Sequence, residues 1–454
     1  MIEILKKMIG NLNADYFDLR YETKLTERIA MNKKEVRAFE QNTGDGYVLR
    51  VMKNGGFASV CFTKPEQAPL AIRKALENAE VLSRNQSVPK VLAKAPKVVA
   101  EVKANLLLDP REVTLEEKLS LVRHYSDLLF EQPKVANVEI GYADVIRNKY
   151  FINSEGSEIN EELVTTRLAG SVITQEGNLT QTVRVAFGGS NGYQKVLSRE
   201  ADALERAKIG ADLLKAEPVK GGTYRMVLNS SMAGVFTHEA FGHFSEADIV
   251  RDLPALREKM QIGTKLGTDN LNIIDDATLA NQLGYYQYDD EGVAVRRVNL
   301  MTNGVLTGRL HDRWTAGEMG EPVSGHAIAE DFRYAPIVRM GCIFIQPDKY
   351  SLEELLAAMD DGLYICNAMG GQTSGENFTF GANYGYIVKG GKLQNMIRDI
   401  NIVGNLYKTL KNVSMISKDF ILTESGGCGK GQTNIRSCHG GPQVYFKELT
   451  VGGK

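Results

Sequence analysis

Glycine-centred turns constrain this chain more than any other feature of its sequence. The 454 residues include 44 glycines, several of which separate two runs of strand-forming residues. Such dividers are Asn54-Gly55-Gly56 within 47–62, Asn303-Gly304 within 298–310, and Gly390-Gly391 within 384–400. Turns of this kind join the antiparallel strands of β-hairpins, because glycine and asparagine tolerate a positive φ. The sequence therefore predicts a large antiparallel β-component.

Helical segments alternate with these hairpins. Thr114 and Glu117 form a capping box that opens a helix running to about residue 130. Apolar spacing predicts a helix at the N-terminus. The Ala, Leu, Lys and Glu content predicts a long helix over 199–215, and further helices are expected over 65–83, 351–361 and 405–412. Residues 86–110 have no clear period and are predicted to form a long surface excursion. Because helices and hairpins mix without βαβ regularity, the predicted fold class is α+β with mixed sheets.

The stretch AEPVKGG at 216–222 is the best candidate for a boundary between two domains. It follows a long helical segment, and its proline and paired glycines disfavour continuation of a helix or a strand. We therefore predict an N-terminal domain of helices and strands over 1–218. A C-terminal domain over 219–454 would then contain the histidine-bearing helix described below.

Charge and cysteine content exclude several classes of protein. The formal net charge is −2 and no dense block of Lys and Arg occurs, so the chain lacks the cationic surface that nucleic-acid binding requires. No run of 18 apolar residues predicts a membrane span, and no cleavable leader is evident. Five scattered cysteines are typical of a reducing compartment, so we expect a cytoplasmic protein without membrane association.

The stretch THEAFGHFSEAD at 237–248 is the main candidate for a metal-binding and catalytic motif. It resembles the zinc-protease signature H-E-x-x-H, but His238 and His243 are five residues apart rather than four. On a regular α-helix that spacing separates the two side chains by roughly 140°, too far for one ion. A single π-type turn would bring them together, and Gly242 makes such a distortion inexpensive. From spacing alone, a metal site and two ordinary helix-end histidines remain equally open.

A tetrahedral catalytic zinc needs a third protein ligand and an open position for water. The sequence offers candidates in two regions. Glu246 and Asp248 follow His243 closely, although acids near a helix end are more often solvated or capping. Cys428 lies in the glycine-rich stretch SGGCGKGQ, and Cys438 with His439 lies in RSCHGG. Glycines there would let the backbone approach the helix closely, so these residues stay open as ligands.

Longer stretches resemble one known family. MAGVFTHEAFGHFSEAD (232–248), IIDDATLANQLGYYQYDDEGVAVRRVNLMTNGVLTGRL (273–310), APIVRM (335–340) and CGKGQ (428–432) are similar, in order, to the TldD/PmbA family. Its members were once described as modulators of DNA gyrase. The segment 44–59 agrees more loosely. The resemblance covers the whole C-terminal half and implies the TldD-like branch, which bears the metal.

The resemblance also implies roles for individual residues. His238, His243 and Cys428 would hold Zn²⁺, and Glu239 would act as the catalytic base on the zinc-bound water. The implied activity is hydrolysis of unfolded or short peptides inside a chamber between two subunits, either a homodimer or a heterodimer with a PmbA/TldE-like chain. The family usually has one more residue between CGK and GQ and a V-P-V-G stretch after GQ, whereas TNIRSCHGGPQ follows GQ in this sequence. That departure keeps Cys438 as an alternative ligand.

Two other functions remain open from the sequence. One is an H-E-x-x-x-H peptidase of the dipeptidyl-peptidase III kind, whose third ligand is a distant carboxylate. The other is a non-catalytic partner or gyrase-modulating subunit, which the retained site residues and the acidic balance disfavour. The acidic stretch YDDEG at 288–292 is predicted to shape a turn before a strand. Its carboxylates could alternatively hold a second cation or a substrate amine.

Overall fold

The computed structural model describes residues 1–85, 88–424 and 426–452. Helices and antiparallel strands mix throughout these ranges, so the predicted α+β class is confirmed. The first part of the chain contains helices α1 Ile2–Ile9, α2 Ala68–Asn85, α3 Leu115–Phe130 and α4 Glu200–Leu213. Its strands are β1 Tyr16–Asn32, β2 Glu35–Lys53, β3 Gly56–Phe62, β4 Val99–Val102, β5 Val135–Asn153, β6 Glu158–Glu176 and β7 Leu179–Gly189.

These strands form one sheet in the order β3-β2-β1-β5-β6-β4, with β7 also paired to β6. Successive side chains of a strand point to opposite faces, and β1 shows the consequence. Leu19, Tyr21 and Ile29 lie in apolar clusters beneath the helices. Arg20 and Lys24 point the other way and bond to residues of the second half of the chain. The sheet therefore has one helix-covered face and one face directed at the C-terminal part.

The remaining elements build that C-terminal part. Its helices are α5 Ser230–Val235, α6 Ala247–Asp252, α7 Pro254–Lys259, α8 Arg313–Met319, α9 Leu352–Met359 and α10 Leu406–Leu410. The strands comprise β8 Glu217–Pro218, β9 Gly222–Leu228, β10 Ile273–Asp275, β11 Val298–Thr302, β12 Val305–Leu306, β13 Ala327–Ile328, β14 Ile337–Val338 and β15 Cys342–Ile345. They continue with β16 Gly362–Ser374, β17 Asn377–Lys389, β18 Lys392–Arg398, β19 Ile400–Asn405, β20 Val413–Ile416, β21 Ile421–Leu422, β22 Cys438–Gly441 and β23 Val444–Gly452.

Two sheets enclose the core of this part. One has the order β12-β11-β10-β15-β22-β21, and the other the order β16-β9-β23-β19-β17-β18-β8, with β20 paired to β23. The helix that carries the histidines lies between them, and its Phe236 and Phe241 are 1% and 0% exposed. Because both sheets contact this helix, its position is fixed from two sides. The division of the chain at 218/219 stays a prediction.

Most local predictions agree with the structure. The three glycine-centred turns join β2 to β3, β11 to β12 and β17 to β18, and each pair is antiparallel. The prediction for 86–110 was wrong in one respect, because β4 at 99–102 pairs in parallel with β6. β4 is short and lies exposed at the edge of the sheet, so its sequence needs no apolar alternation that would have predicted a strand. Residues 86 and 87 of that segment lie outside the described residues.

A buried group of charges joins the two parts, and we call it the central charge cluster. It consists of Asp290 with Arg20, Arg147 and Lys149, whose nitrogens lie 3.4, 3.2 and 3.4 Å from the Asp290 carboxylate. Burial raises the pKa of Asp290, but these cations outweigh it and hold the pKa below its usual range. Asp289 accepts hydrogen bonds from the backbone of Glu291 and Val293, so the predicted turn is confirmed.

Removing the Asp290 charge should destabilise the whole protein. Asp290→Asn keeps the side-chain size but removes the carboxylate that three buried cations share. Breaking a buried ion pair in this way costs about 3–5 kcal/mol of unfolding free energy. Chemical denaturation followed by circular dichroism measures the loss. Asp361→Asn is the matched control, because its ion pair with Lys389 is exposed and should contribute almost nothing. Equal midpoints for the two variants would contradict the structural importance of the cluster.

None of the helices within residues 1–85, 88–424 and 426–452 combines the length and apolar character needed to traverse a lipid bilayer.

Candidate metal centre

The helix that carries the histidines changes its winding where the sequence requires it. α5 begins after Asn229, whose side chain accepts a hydrogen bond from the Met232 amide at 3.0 Å. The helix then becomes a π-helix over Phe236–Gly242. The rings of His238 and His243 consequently lie 5.2 Å apart, centre to centre. The predicted π-type turn is confirmed, and both imidazoles lie on one side of the helix.

Two glycines let the surrounding sheet approach this helix. A Cβ at Gly242 would lie 2.2 Å from the sulfur of Met340, and one at Gly234 would lie 2.6 Å from the backbone of Gly440. Gly242 has φ −58°, which any residue can adopt. Its role is therefore close packing against β15 and the residues before it, rather than an unusual backbone angle. The same close packing places β22 and the glycine-rich stretch SGGCGKGQ near the histidines.

His238, His243 and Cys428 converge on one point. Their ligand-type atoms all lie within 4.8 Å of one another. Cys428 Sγ is 3.1 Å from His238 Nε2 and 3.7 Å from His243 Nε2. A tetrahedral metal with bonds of about 2.1 Å to nitrogen and 2.3 Å to sulfur would separate those atoms by about 3.6 Å. The donor set and its spacing therefore fit a zinc ion.

The two acidic ligand candidates, Glu246 and Asp248, lie outside the group of converging ligand atoms. Glu246 is fully buried, and its carboxylate lies 3.1 Å from His243 Nδ1. The ring nitrogen that faces Cys428 is Nε2, so Glu246 orients the imidazole instead of joining the cluster. Asp248 bonds to Lys430 at 2.9 Å, and Lys430 also reaches Glu246 at 3.0 Å. Lys430 thus ties the cysteine loop to the end of the histidine helix.

The surroundings of the two histidines shift their pKa values in opposite directions. Burial holds the pKa of His238 well below its usual range, and the neighbouring His439, His243 and Arg339 side chains add to the effect. Burial also opposes the charge on His243, but hydrogen bonds to Cys428 and Glu246 outweigh it and raise its pKa to about 10. Glu246 mirrors this behaviour. Burial raises its pKa, whereas His243, Arg339 and Lys430 outweigh burial and lower it to about 2.

Glu239 lies at the open side of the cluster. Its carboxylate is 3.7 Å from His243 Nε2, and its side chain is 25% exposed. Burial raises its pKa above the usual range, although the His243 and Arg339 charges oppose that shift. A carboxylate with a raised pKa takes up a proton more readily than an exposed one. Glu239 therefore has both the position and the basicity of a candidate proton acceptor.

The structure separates Cys438 and His439 from the three converging side chains. The Cys438 thiol is fully buried on β22 and contacts the carbonyl of Thr423 at 3.3 Å. The His439 ring lies 5.3 Å from that of His238, and burial lowers its pKa to about 4. His439 thus flanks the cluster as a neutral ring. Neither residue belongs to the set of ligand atoms that meet at one point among the described residues.

Sequence reasoning missed three residues around the cluster. Lys430 lies within CGKGQ, and its ion pairs with Glu246 and Asp248 span 184 and 182 residues. Arg339 is fully buried, and its nearest carboxylate oxygen belongs to Glu246 at 3.4 Å. The Thr373 hydroxyl donates to the Glu239 carbonyl at 2.8 Å and anchors β16 beside the helix. The APIVRM and CGKGQ stretches contained two of these residues, but nothing in their spacing indicated the contacts.

Three family models cover nearly the whole chain. The model called PmbA/TldA metallopeptidase domain 1 matches residues 17–83, the central domain matches 108–215, and the C-terminal domain matches 221–453. The chain belongs to the TldD/PmbA family. The resemblance found in the sequence is therefore confirmed.

Relatives of this TldD/PmbA protein are named as metalloproteases. One from Synechocystis sp. is 32% identical over 455 residues, covering 99% of this chain and 97% of its own. A protein of Saccharolobus solfataricus named zinc metalloprotease TldD homolog is 30% identical, with both chains covered completely. A metalloprotease of Methanocaldococcus jannaschii is 31% identical over 94% of this chain and 95% of its own.

Solved structures share the fold. A Thermotoga maritima protein called a modulator of a DNA gyrase superposes with a TM-score of 0.82 at 19% identity, covering 99% of both chains. TldE from Thermococcus kodakarensis superposes with a TM-score of 0.78 at 17% identity, covering 100% of this chain and 99% of its own. At these identities the likeness establishes the α+β architecture alone.

Proposed function

We propose that this TldD/PmbA protein is a zinc-dependent peptidase that hydrolyses unfolded or short peptides. The observation that carries the proposal is the convergence of His238, His243 and Cys428 on one point, with Glu239 beside it. Two imidazoles and a thiolate match the ligand preferences of Zn²⁺, and three protein ligands leave a fourth position open. A bound Zn²⁺ would supply a Lewis acid that polarises the peptide carbonyl and lowers the pKa of water.

The side chains of the protein would perform the proton transfers. Glu239 would accept a proton from the attacking water and then donate it to the amine that leaves. Its raised pKa suits both directions of transfer, because the base must also act as the acid. Glu246 would hold the proton of His243 at Nδ1, which leaves Nε2 free as a ligand atom. His238 supports the same arrangement, since burial keeps its ring neutral.

Strand β16 offers a place for the substrate backbone. Its pairing with β9 ends at Ile365, while its pairing with β17 continues to Ser374. Within the described chain, residues 370–374 therefore have no strand on the side away from β17. Thr373 holds this segment against the Glu239 carbonyl. A peptide added there as a further strand would be held by main-chain hydrogen bonds, which tolerate many sequences.

The same proposal includes assembly into a dimer. The family places its site in a chamber between two subunits, and the structural likeness to a TldE protein supports pairing with a similar chain. A second copy of this chain is the default, because closed two-fold assemblies are the commonest. Light scattering of the purified protein tests the stoichiometry. A dimeric peptidase should cut unfolded peptides and leave compact proteins intact, whereas a monomer that degrades folded domains equally fast would refute this part.

One experiment tests the function directly. The purified protein is assayed for zinc by mass spectrometry and incubated with an unstructured peptide, with and without chelator. Cleavage that disappears with the metal and returns with added Zn²⁺ is expected. Zinc without cleavage of any peptide would favour the non-catalytic alternative. Metal retained after loss of Cys428, with a carboxylate in its place, would favour the dipeptidyl-peptidase III kind of site.

Glu246→Gln should weaken metal binding without removing a ligand. The neutral amide oxygen accepts the hydrogen bond from His243 Nδ1 more weakly than the carboxylate does. Such partners of metal-binding histidines contribute about 10–100-fold in affinity. Competition with a chromophoric chelator measures the change. Asp252→Asn is a suitable control, because this exposed acid on α6 pairs only with Arg251 among the described residues. Unchanged affinity in Glu246→Gln would contradict the proposed role of Glu246.

A further inference from the structure

A cavity lies beside the cysteine loop, between the N-terminal sheet and the C-terminal part. Its volume is about 170 Å³. A single water needs only about 15 Å³ of such space, so the cavity admits a group of several heavy atoms. Basic side chains dominate its charged lining, which includes Lys24, Arg147, Arg167 and Arg436 opposite Glu330. We call it the basic cavity.

Arg436, one of the cations of this lining, has no carboxylate partner among the described residues. Lys24 pairs with Asp331, and Arg147 pairs with Glu22 and Asp290. Arg436 instead bonds to neutral groups, namely the Thr165 hydroxyl at 2.6 Å and the carbonyls of Tyr285 and Val164 at 3.1 and 3.5 Å. No acidic oxygen lies within 4.0 Å of it in the described chain. Burial lowers its pKa to about 10, and nearby Arg147 adds to that effect.

Polar atoms of the lining also lack partners. Ser437 is 1% exposed, and its hydroxyl has no hydrogen bond within the described residues. The Nε atoms of Arg147 and Arg436 are likewise buried and unpaired. Buried donors without acceptors are costly, and a buried cation without an anion is costlier still. Three unused donors around one cavity therefore indicate an acceptor group that carries negative charge.

The basic cavity is close to the proposed metal ligands. Gly426 and Gly427 form part of its wall, and Gly427 precedes Cys428 directly. Consecutive Cα atoms are about 3.8 Å apart, so the wall begins one residue from the ligand. The loop is held there because Cys428 and Ile435 exchange backbone hydrogen bonds of 3.0 and 2.9 Å. A peptide lying across the metal centre is thus long enough to place a side chain or its end in the cavity.

We propose that the basic cavity is a substrate subsite that binds a carboxylate of the peptide, through Arg436 and the hydroxyl of Ser437. The carboxylate is either the C-terminal group or an Asp or Glu side chain. This inference rests on the proposed peptidase function and specifies the peptides that the site prefers. An Arg guanidinium with free donors suits a carboxylate, because charge-assisted hydrogen bonds are the strongest of their kind.

Binding to an inactivated protein tests the subsite without relying on catalysis. Three dye-labelled decapeptides of Ala, Ser and Thr are titrated into zinc-loaded Glu239→Gln protein. The first has an amidated end and no acid, the second has an amidated end and one central Asp, and the third has a free C-terminal carboxylate. We expect the second or the third to bind about tenfold tighter than the first, as a buried charged hydrogen bond provides. Which of the two gains affinity identifies the source of the carboxylate.

Second variants separate recognition from folding. Adding Arg436→Gln should abolish the tenfold advantage, and Arg436→Lys should keep part of it because the charge remains. Arg296→Gln is the matched control, since Arg296 also bonds only to carbonyls but lies outside the cavity. Equal affinity for all three peptides, or an advantage that survives Arg436→Gln, would overturn the subsite. Cleavage of the neutral amidated peptide by the unmodified protein would leave the peptidase proposal standing in either case. Failure of the unmodified protein to cleave any of the peptides, together with failure of the variant to bind them, would overturn both proposals.

Discussion

Glu239→Gln should retain zinc and lower peptidase turnover by two to four orders of magnitude. The amide has the size of the carboxylate but cannot accept the proton, and general acid–base catalysis contributes about 10²–10⁴-fold. Glu239 lies outside the three converging ligands, 3.7 Å from His243 Nε2, so its substitution removes no donor to the metal. The variant should therefore separate chemistry from metal binding.

The measurements are turnover with an unstructured peptide and metal content by mass spectrometry on the same preparation. Glu258→Gln serves as the control, because it makes the same chemical change at an exposed position of α7. Wild-type turnover in Glu239→Gln would place the base elsewhere. Loss of zinc together with activity would indicate that Glu239 supports the metal site rather than the proton transfer.

Cys428→Ser should release the metal, whereas Cys438→Ser should not. Cys428 Sγ lies 3.1 and 3.7 Å from the two histidine nitrogens, so removing it leaves the ion with two protein donors. The loss in affinity should exceed the roughly 10–100-fold that follows removal of a ligand's hydrogen-bond partner. A serine at 438 still has a hydroxyl that can donate to the Thr423 carbonyl, as the thiol does now.

Zinc stoichiometry after dialysis against a weak chelator distinguishes the two cysteine variants, and circular dichroism checks that both remain folded. Zinc retained in Cys428→Ser and lost in Cys438→Ser would reverse the assignment. Equal retention in both would mean that neither thiol is required.

The parts of this molecule that depend on local spacing could be predicted from the sequence. The π-helix followed from the five-residue separation of His238 and His243, because a regular helix cannot align them. Turns at Asn54-Gly55-Gly56 and Asn303-Gly304 followed from backbone conformations that few other residues adopt. Glu239 lies within the same short motif, and its role as the base stays a prediction. These features are encoded within a few residues of one another.

Tertiary contacts set the limit of sequence reasoning. The choice of Cys428 as a ligand rested on its position in the family's motif, because the sequence alone makes Cys438 an equally plausible thiol. In the fold, Cys428 contacts His238, whereas Cys438 contacts the carbonyl of Thr423. Glu246 was weighed as a ligand, and only its distance to His243 Nδ1 assigns it an orienting role. The central charge cluster joins residues up to 270 positions apart, since Asp290 pairs with Arg20. No pattern along the chain indicates such pairs.

The separation between His238 and Cys428 has a consequence for synthesis of the protein. Their contact spans 190 residues, and His238 is translated before Cys428. At about 5–20 residues per second, a ribosome takes roughly 10–40 s to translate that interval. During that time the two histidines have been synthesised without Cys428, while the nascent chain is an unfolded polypeptide of the kind that the proposed peptidase would cut. The proposed metal site, and the peptidase activity proposed for it, therefore cannot form before the ribosome has translated Cys428.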